Sequence, residues 1–125
     1  MNSRARQLWL VVGWLLVLLV IVLSLAPISI EVPVSEGDKL NHALAYATLM
    51  LWFAHTHEAP VRRAVLAIGL VALGIALEFA QGWTGYRSFE VADMAANAVG
   101  VAIGWALAPP RLPNVLQRIE KFIRS

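Results

Sequence analysis

LWLVVGWLLVLLVIVLSLA, residues 8–26, carries no charged side chain, and its only hydroxyl is Ser24. A helix over Leu8–Leu25 rises ~27 Å at 1.5 Å per residue, close to the ~30 Å hydrocarbon core of a bilayer. Ser24-Leu25-Ala26 resembles a small-x-small cleavage site. However, the run exceeds the ~7–15 residues of a signal-peptide core, and Pro27 would follow the cut. The run therefore reads as an uncleaved transmembrane helix. Three further apolar segments follow, over about 39–56, 61–81 and 90–108. One membrane domain, residues 1–125, uses the whole chain.

Charge placement orients these segments. Arg4 and Arg6 precede the first, Arg62 and Arg63 lie between the second and third, and Arg111, Arg118, Lys121 and Arg124 follow the fourth. The other two connections hold only Lys39 and Arg87, against Glu31, Glu36, Asp38, Glu90 and Asp93. Lys/Arg-rich loops stay cytoplasmic, so both termini are expected inside and the two acidic loops outside. The expected location is a cell inner membrane.

Composition agrees. The 125 residues are 59% hydrophobic and 14% charged, with mean hydropathy +0.68. No soluble domain of this length needs so much apolar surface. Without cysteine, disulfides and thiolate chemistry are excluded. The pI near 9.5 does not imply a nucleic-acid partner. The basic residues are divided among the segment flanks, where anionic lipid headgroups account for them.

After Pro113, apolar Val115, Leu116, Ile119, Phe122 and Ile123 recur at helical spacing, with Arg118, Lys121 and Arg124 largely opposite. This predicts an interfacial amphipathic helix over about 113–124 rather than a disordered basic tail. In the fourth segment Ala92, Ala96, Gly100, Gly104 and Ala108 recur every four residues, with a weaker series Ala72, Ala76 and Ala80 in the third. Small residues let helix backbones approach closely, so these stripes predict packing within the bundle. The fold class is an all-α membrane protein: a compact four-transmembrane-helix bundle with a C-terminal amphipathic interfacial helix. A monomer or weak homo-oligomer is expected.

Polar side chains gather at one depth. Asp38 or Lys39, His42 and Tyr46 share a face of the second helix, Glu78 and Gln81 a face of the third, and Asp93 and Asn97 a face of the fourth. All three faces lie at the expected outer end. An ionisable group within a span costs ~2.5–3.5 kcal/mol, so such residues need partners or a function. Lys39, His42 and Arg87 are the basic side chains on that side. One account is a buried network that only closes the bundle. The other leaves a polar pocket open to a ligand.

Several chemistries fit such a pocket. His42 with Glu78 or Asp93 could act as acid and base, since burial raises a carboxylate toward neutral pH. Lys39 and Arg87 suit a phosphate or carboxylate, while Asp38, Tyr46, Gln81 and Asn97 are candidate binding residues. A divalent metal on Asp38 and His42 with Glu78 or Asp93 is disfavoured, because only one His is available and no HExxH pattern occurs. Ser88 and Thr84 lack a nucleophile-elbow context. No metal or other cofactor is expected. His55 and His57 fall at the opposite face and read as surface residues. Trp83 and Tyr86 fit the outer interfacial belt, Trp9 and Trp105 the inner one, and Trp14 and Trp52 face lipid or a neighbouring helix.

Asp38-Lys39-x-x-His42-x-x-x-Tyr46, then Glu78-x-x-Gln81, then Arg87-Ser88-Phe89-Glu90-x-x-Asp93-x-x-x-Asn97-x-x-Gly100 resembles the VanZ-like family. The match covers about residues 37–105. That family is named for a protein linked to teicoplanin resistance, and its members are small bacterial membrane proteins without a defined mechanism. The resemblance implies an envelope role, with membrane lipids or a lipid-linked cell-wall precursor as partners and glycopeptide susceptibility as one readout. It does not say whether a reaction is catalysed. The chain departs from the pattern at Ala43, where the family often has an aromatic, so a site wall is expected to differ there. The leading expectation is binding or modification of an envelope component. The alternative is a non-enzymatic accessory protein whose polar cluster only stabilises the bundle.

Overall fold

The computed structural model describes residues 4–25, 35–84 and 91–124, excepting the side chains of residues 35–39 and 124. The described residues are all-helical: α1 Arg4–Leu25, α2 Ser35–Ala54, α3 Pro60–Thr84, α4 Val91–Leu107 and α5 Val115–Arg124. α1 and α3 are long and apolar enough to cross a membrane, and α4 is a shorter apolar helix. At 1.5 Å per residue they span ~33, ~37 and ~25 Å. α1 is no soluble core helix. Leu8, Val11, Trp14, Leu15, Leu18 and Val22 all lie on its exposed surface, a continuous apolar face of the kind that marks a membrane or protein contact.

α2 and α4 make the most extensive pairing, and α3 packs mainly on α4. The pairing of α2 with α4 is parallel, since His42 meets Asn97, Ala43 meets Gly100 and Ala47 meets Gly104. A Cβ at Gly100 would overlap the Ala43 carbonyl oxygen, and one at Gly104 would stand 2.5 Å from the Ala47 carbonyl oxygen. The glycines thus permit backbone-to-backbone contact, as the small-residue reading of α4 expects.

The stripe is narrower than the four-residue spacing suggests. Ala92 is exposed, and the buried face of α4 runs through Asp93, Asn97, Gly100, Val101 and Gly104. In α3 the expected stripe fails. Ala72 and Ala76 are exposed, and Leu70, Gly74, Leu77, Glu78 and Gln81 turn inward. Rotating Ala72 and Ala76 inward would swing Glu78 and Gln81 toward the apolar exterior, which the insertion cost of a charge forbids. Gly74 makes the polar rotation possible, because Asn97 Nδ2 would lie 2.7 Å from a Cβ there.

The core joins Tyr46, Leu49, Met50, Leu70 and Val101, ringed by Leu16, Val17, Val20, Leu66 and Val71. At one end of the bundle, Trp9 and Trp52 stack with centroids 3.8 Å apart. Each indole Nε1–H donates to the other residue's carbonyl at 2.8 Å, the partner that a buried indole requires. Trp52 thus faces a neighbouring helix, one of its two expected positions, and Trp9 is buried in the clasp. The surface reading of His55 is wrong. α1 covers it, leaving His55 7% exposed with its ring 4.9 Å from Trp9. His57 is half-buried.

The same end collects two arginines on the C-terminus of α2. Arg6 Nη2 donates to Thr56 O at 2.6 Å. Arg63 donates from Nε to His57 O at 2.6 Å and from Nη2 to Ala54 O at 3.0 Å. A helix C-terminus leaves carbonyls unpaired and carries partial negative charge, so guanidinium donors satisfy both needs. Two residues that read as topological markers in the sequence are therefore also helix caps.

α5 begins at an N-cap, with Gln117 N donating to Asn114 Oδ1 at 2.9 Å. It docks against α1. Leu116 is buried while Val115, Ile119, Phe122 and Ile123 remain exposed. The tail is thus an ordered amphipathic helix.

Candidate polar site

The opposite end of the bundle is polar. His42 on α2 and Asn97 on α4 meet at 3.0 Å, Nδ1 to Oδ1. An amide oxygen only accepts, so Nδ1 carries the proton and donates. The other ring nitrogen, Nε2, faces Asp93 Oδ2 at 3.9 Å, too far for a direct hydrogen bond. The pair attracts as an ion pair only when the ring holds both protons. Gln81 on α3 donates from Nε2 to the Ser24 carbonyl on α1 at 2.9 Å. These contacts tie α2 to α4 and α3 to α1 at one level.

A cavity of about 200 Å³ opens beside them. His42, Asn41, Tyr46, Gln81 and Ser24 line it with Val20, Leu23 and Ala45. Glu78, Asp93 and Asn97 are not among its walls. Each is buried, Glu78 at 1% exposure. Tyr46 is within electrostatic reach of Glu78. The cluster therefore has two layers. His42, Tyr46 and Gln81 face the space, and Glu78, Asp93 and Asn97 back them.

This differs from the sequence expectation in three ways. α1 supplies a wall that reading faces of the second, third and fourth helices did not include. α4 supports the site from behind. Ala43 is not a site wall but part of the α2–α4 contact, against Gly100. Asn41 and Ser24 were missed. Asn41 had a signal, since an amide next to His42 in a segment read as a span needs the same justification as His42 itself. Ser24 contributes its carbonyl at a helix end, where backbone oxygens lack helical donors, and no side-chain pattern marks that. The Asp38 and Lys39 side chains and the whole of Arg87 lie outside the described residues. Among the described residues, no three His, Asp or Glu side chains converge as a metal site.

The arrangement can bind a polar group by hydrogen bonds from an imidazole, two amides and a phenol. His42 supplies the imidazole of the wall, and Asp93 lies behind it, with Oδ2 3.9 Å from Nε2.

Residues 8–115 match the family described as VanZ/LLP1. The chain belongs to the VanZ/LLP1 family. The matched range takes in every element that lines or backs the cavity. An uncharacterized protein of Schizosaccharomyces pombe is 31% identical over 97 residues, covering 72% of this chain and 56% of that protein. The chain thus spans little more than half the length of this curated relative. Since that relative is eukaryotic, likeness alone does not place a VanZ/LLP1 chain in a bacterial membrane. No solved structure matches the chain.

Proposed function

We propose that this VanZ/LLP1 protein spans the membrane four times with both termini cytoplasmic. Its outward cavity binds or modifies the polar group of an envelope lipid or lipid-linked cell-wall precursor. The cavity lined by His42, Asn41, Tyr46 and Gln81 carries this reading. A network serving only to close the bundle has no need to gather an imidazole, two amides and a phenol around a cavity. α1 and α3 are the two long apolar spans. The parallel α2 and α4 return the chain between and after them. The arginine-bearing end then faces the cytoplasm, where Lys/Arg-rich flanks belong. Lys39 and Arg87 are proposed as anion contacts.

Reporter fusions test the orientation. A reporter after Ser125 is expected to report cytoplasm, and one within residues 35–38 the exterior. The same side for both excludes the arrangement.

Native mass spectrometry of the purified chain tests the binding. An envelope lipid is expected to co-purify, and its retention should fall at least about tenfold in His42→Gln, equivalent to one strong hydrogen bond of ~1.4 kcal/mol. The accessory reading has its own support, because Gln81 and the His42–Asn97 pair also fasten helices together. It predicts no lipid that depends on His42.

A further inference from the structure

The larger cavity lies elsewhere. A groove of about 670 Å³ runs along α1, the end of α2 and α3, lined by Leu10, Trp14, Ile21, Phe53, Gly69 and Leu73 among others. It shares no lining residue with the polar cavity. Its volume falls within the ~300–1,000 Å³ of typical small-molecule sites. His57 is its one titratable wall residue. The groove is not closed by its own helix, since a Cβ built on Gly69 meets nothing within 4 Å.

Charge lies at one end only. An adjoining hollow of about 450 Å³ shares His57 and Leu66 with the groove and adds Arg62, Val61 and Val65. Arg62 and Arg63 are sequence neighbours with opposite fates. Arg63 is buried on the α2 carbonyls. Arg62 is exposed and, among the described residues, makes no hydrogen bond or ion pair. His57 Nδ1 contacts Phe53 O at 2.9 Å, so Nε2 is the ring atom left for a ligand.

We infer that this groove is a phospholipid site, with an acyl chain lying between α1 and α3 and an anionic headgroup phosphate at Arg62 and His57. An apolar trough inside the hydrocarbon layer suits a lipid tail. A free guanidinium at its mouth suits phosphate, which it pairs with in a bidentate fork. The two halves together select an amphiphile with one charged end. On the orientation proposed above, the bound lipid belongs to the inner leaflet, where basic flanks attract anionic headgroups.

The test uses the full chain in detergent, titrated with phosphatidylglycerol or phosphatidylcholine and read by native mass spectrometry. The unaltered chain is expected to retain phosphatidylglycerol about fivefold better, the effect of one basic residue near a membrane surface. Gly69→Leu, whose side chain enters open space, should cut retention of both lipids at least about tenfold, equivalent to ~1.4 kcal/mol. Arg62→Gln changes only an exposed side chain, so it reads the headgroup contact even if Gly69→Leu does not fold. It should abolish the preference and leave phosphatidylcholine retention unchanged. Equal retention of the two lipids by the unaltered chain, undiminished retention in Gly69→Leu, or a preference that survives Arg62→Gln would each overturn the assignment.

Discussion

Gly100→Ala is expected to destabilise the bundle by ~1–3 kcal/mol, the usual range for over-packing, and Gly100→Leu to give no folded protein. The added methyl would meet the backbone of Ala43, not the end of a flexible side chain. Relief requires α2 to move away from α4. Gly104 tightens the constraint one turn further on, where Ala47 O and Met50 Cβ would lie 2.5 and 2.8 Å from a Cβ. Displacing α2 also draws His42 away from Asn97, so polar-site geometry is lost along with packing. Gly69→Ala provides the contrast. It too lies within a helix, but its Cβ meets open space, and replacing a mid-helix glycine by alanine is favourable by roughly 0.5–1 kcal/mol. Folded yield and thermal unfolding in detergent distinguish the two glycines. A Gly100→Ala chain as stable as the unaltered one would show that α2 and α4 do not approach as described.

The contrast also shows what a sequence conveys. Gly100 and Gly69 are the same residue in similar apolar surroundings, yet one is at a helix crossing and the other borders a groove. Spacing gave Gly100 away, because Gly104 repeats it four residues later on the same face. The equivalent alanine spacing in α3 misled, because an alanine fits lipid as readily as a helix neighbour, and only the need to bury Glu78 and Gln81 fixes the rotation. The apolar run over residues 8–26 and the helical spacing of the tail were legible because each is a local pattern. The Trp9–Trp52 clasp and the burial of His55 were not. They depend on which residues of α1 and α2 come opposite each other, and no pattern within either helix specifies that register. The arginines at residues 6 and 63 were legible as charges near a membrane flank, while their role as caps depends on where α2 ends.

The polar cluster was legible by composition, but its two layers were not. They define the second large effect. His42→Gln is expected to remove ligand retention while lowering stability less than Glu78→Gln does, since Gln can still hydrogen-bond Asn97. The ring lines the cavity and meets Asn97 at 3.0 Å and Asp93 at 3.9 Å. Glu78→Gln should do the reverse. Glu78 is buried behind the wall, within electrostatic reach of Tyr46. Gln keeps the shape and removes the charge, so the loss falls on interactions with a charged group, worth ~1.5–3 kcal/mol. Retention by the folded fraction should then fall less than in His42→Gln. Asp93→Asn should lie between the two, because its carboxylate both supports the packed layer and faces His42 Nε2 at 3.9 Å. Thermal unfolding beside lipid retention, measured on the same preparations, separates the layers. If stability and retention fall in parallel across all three variants, the cluster acts as one strut and the cavity is incidental. If they separate in the order given, His42 meets the ligand and the acidic residues hold it in place.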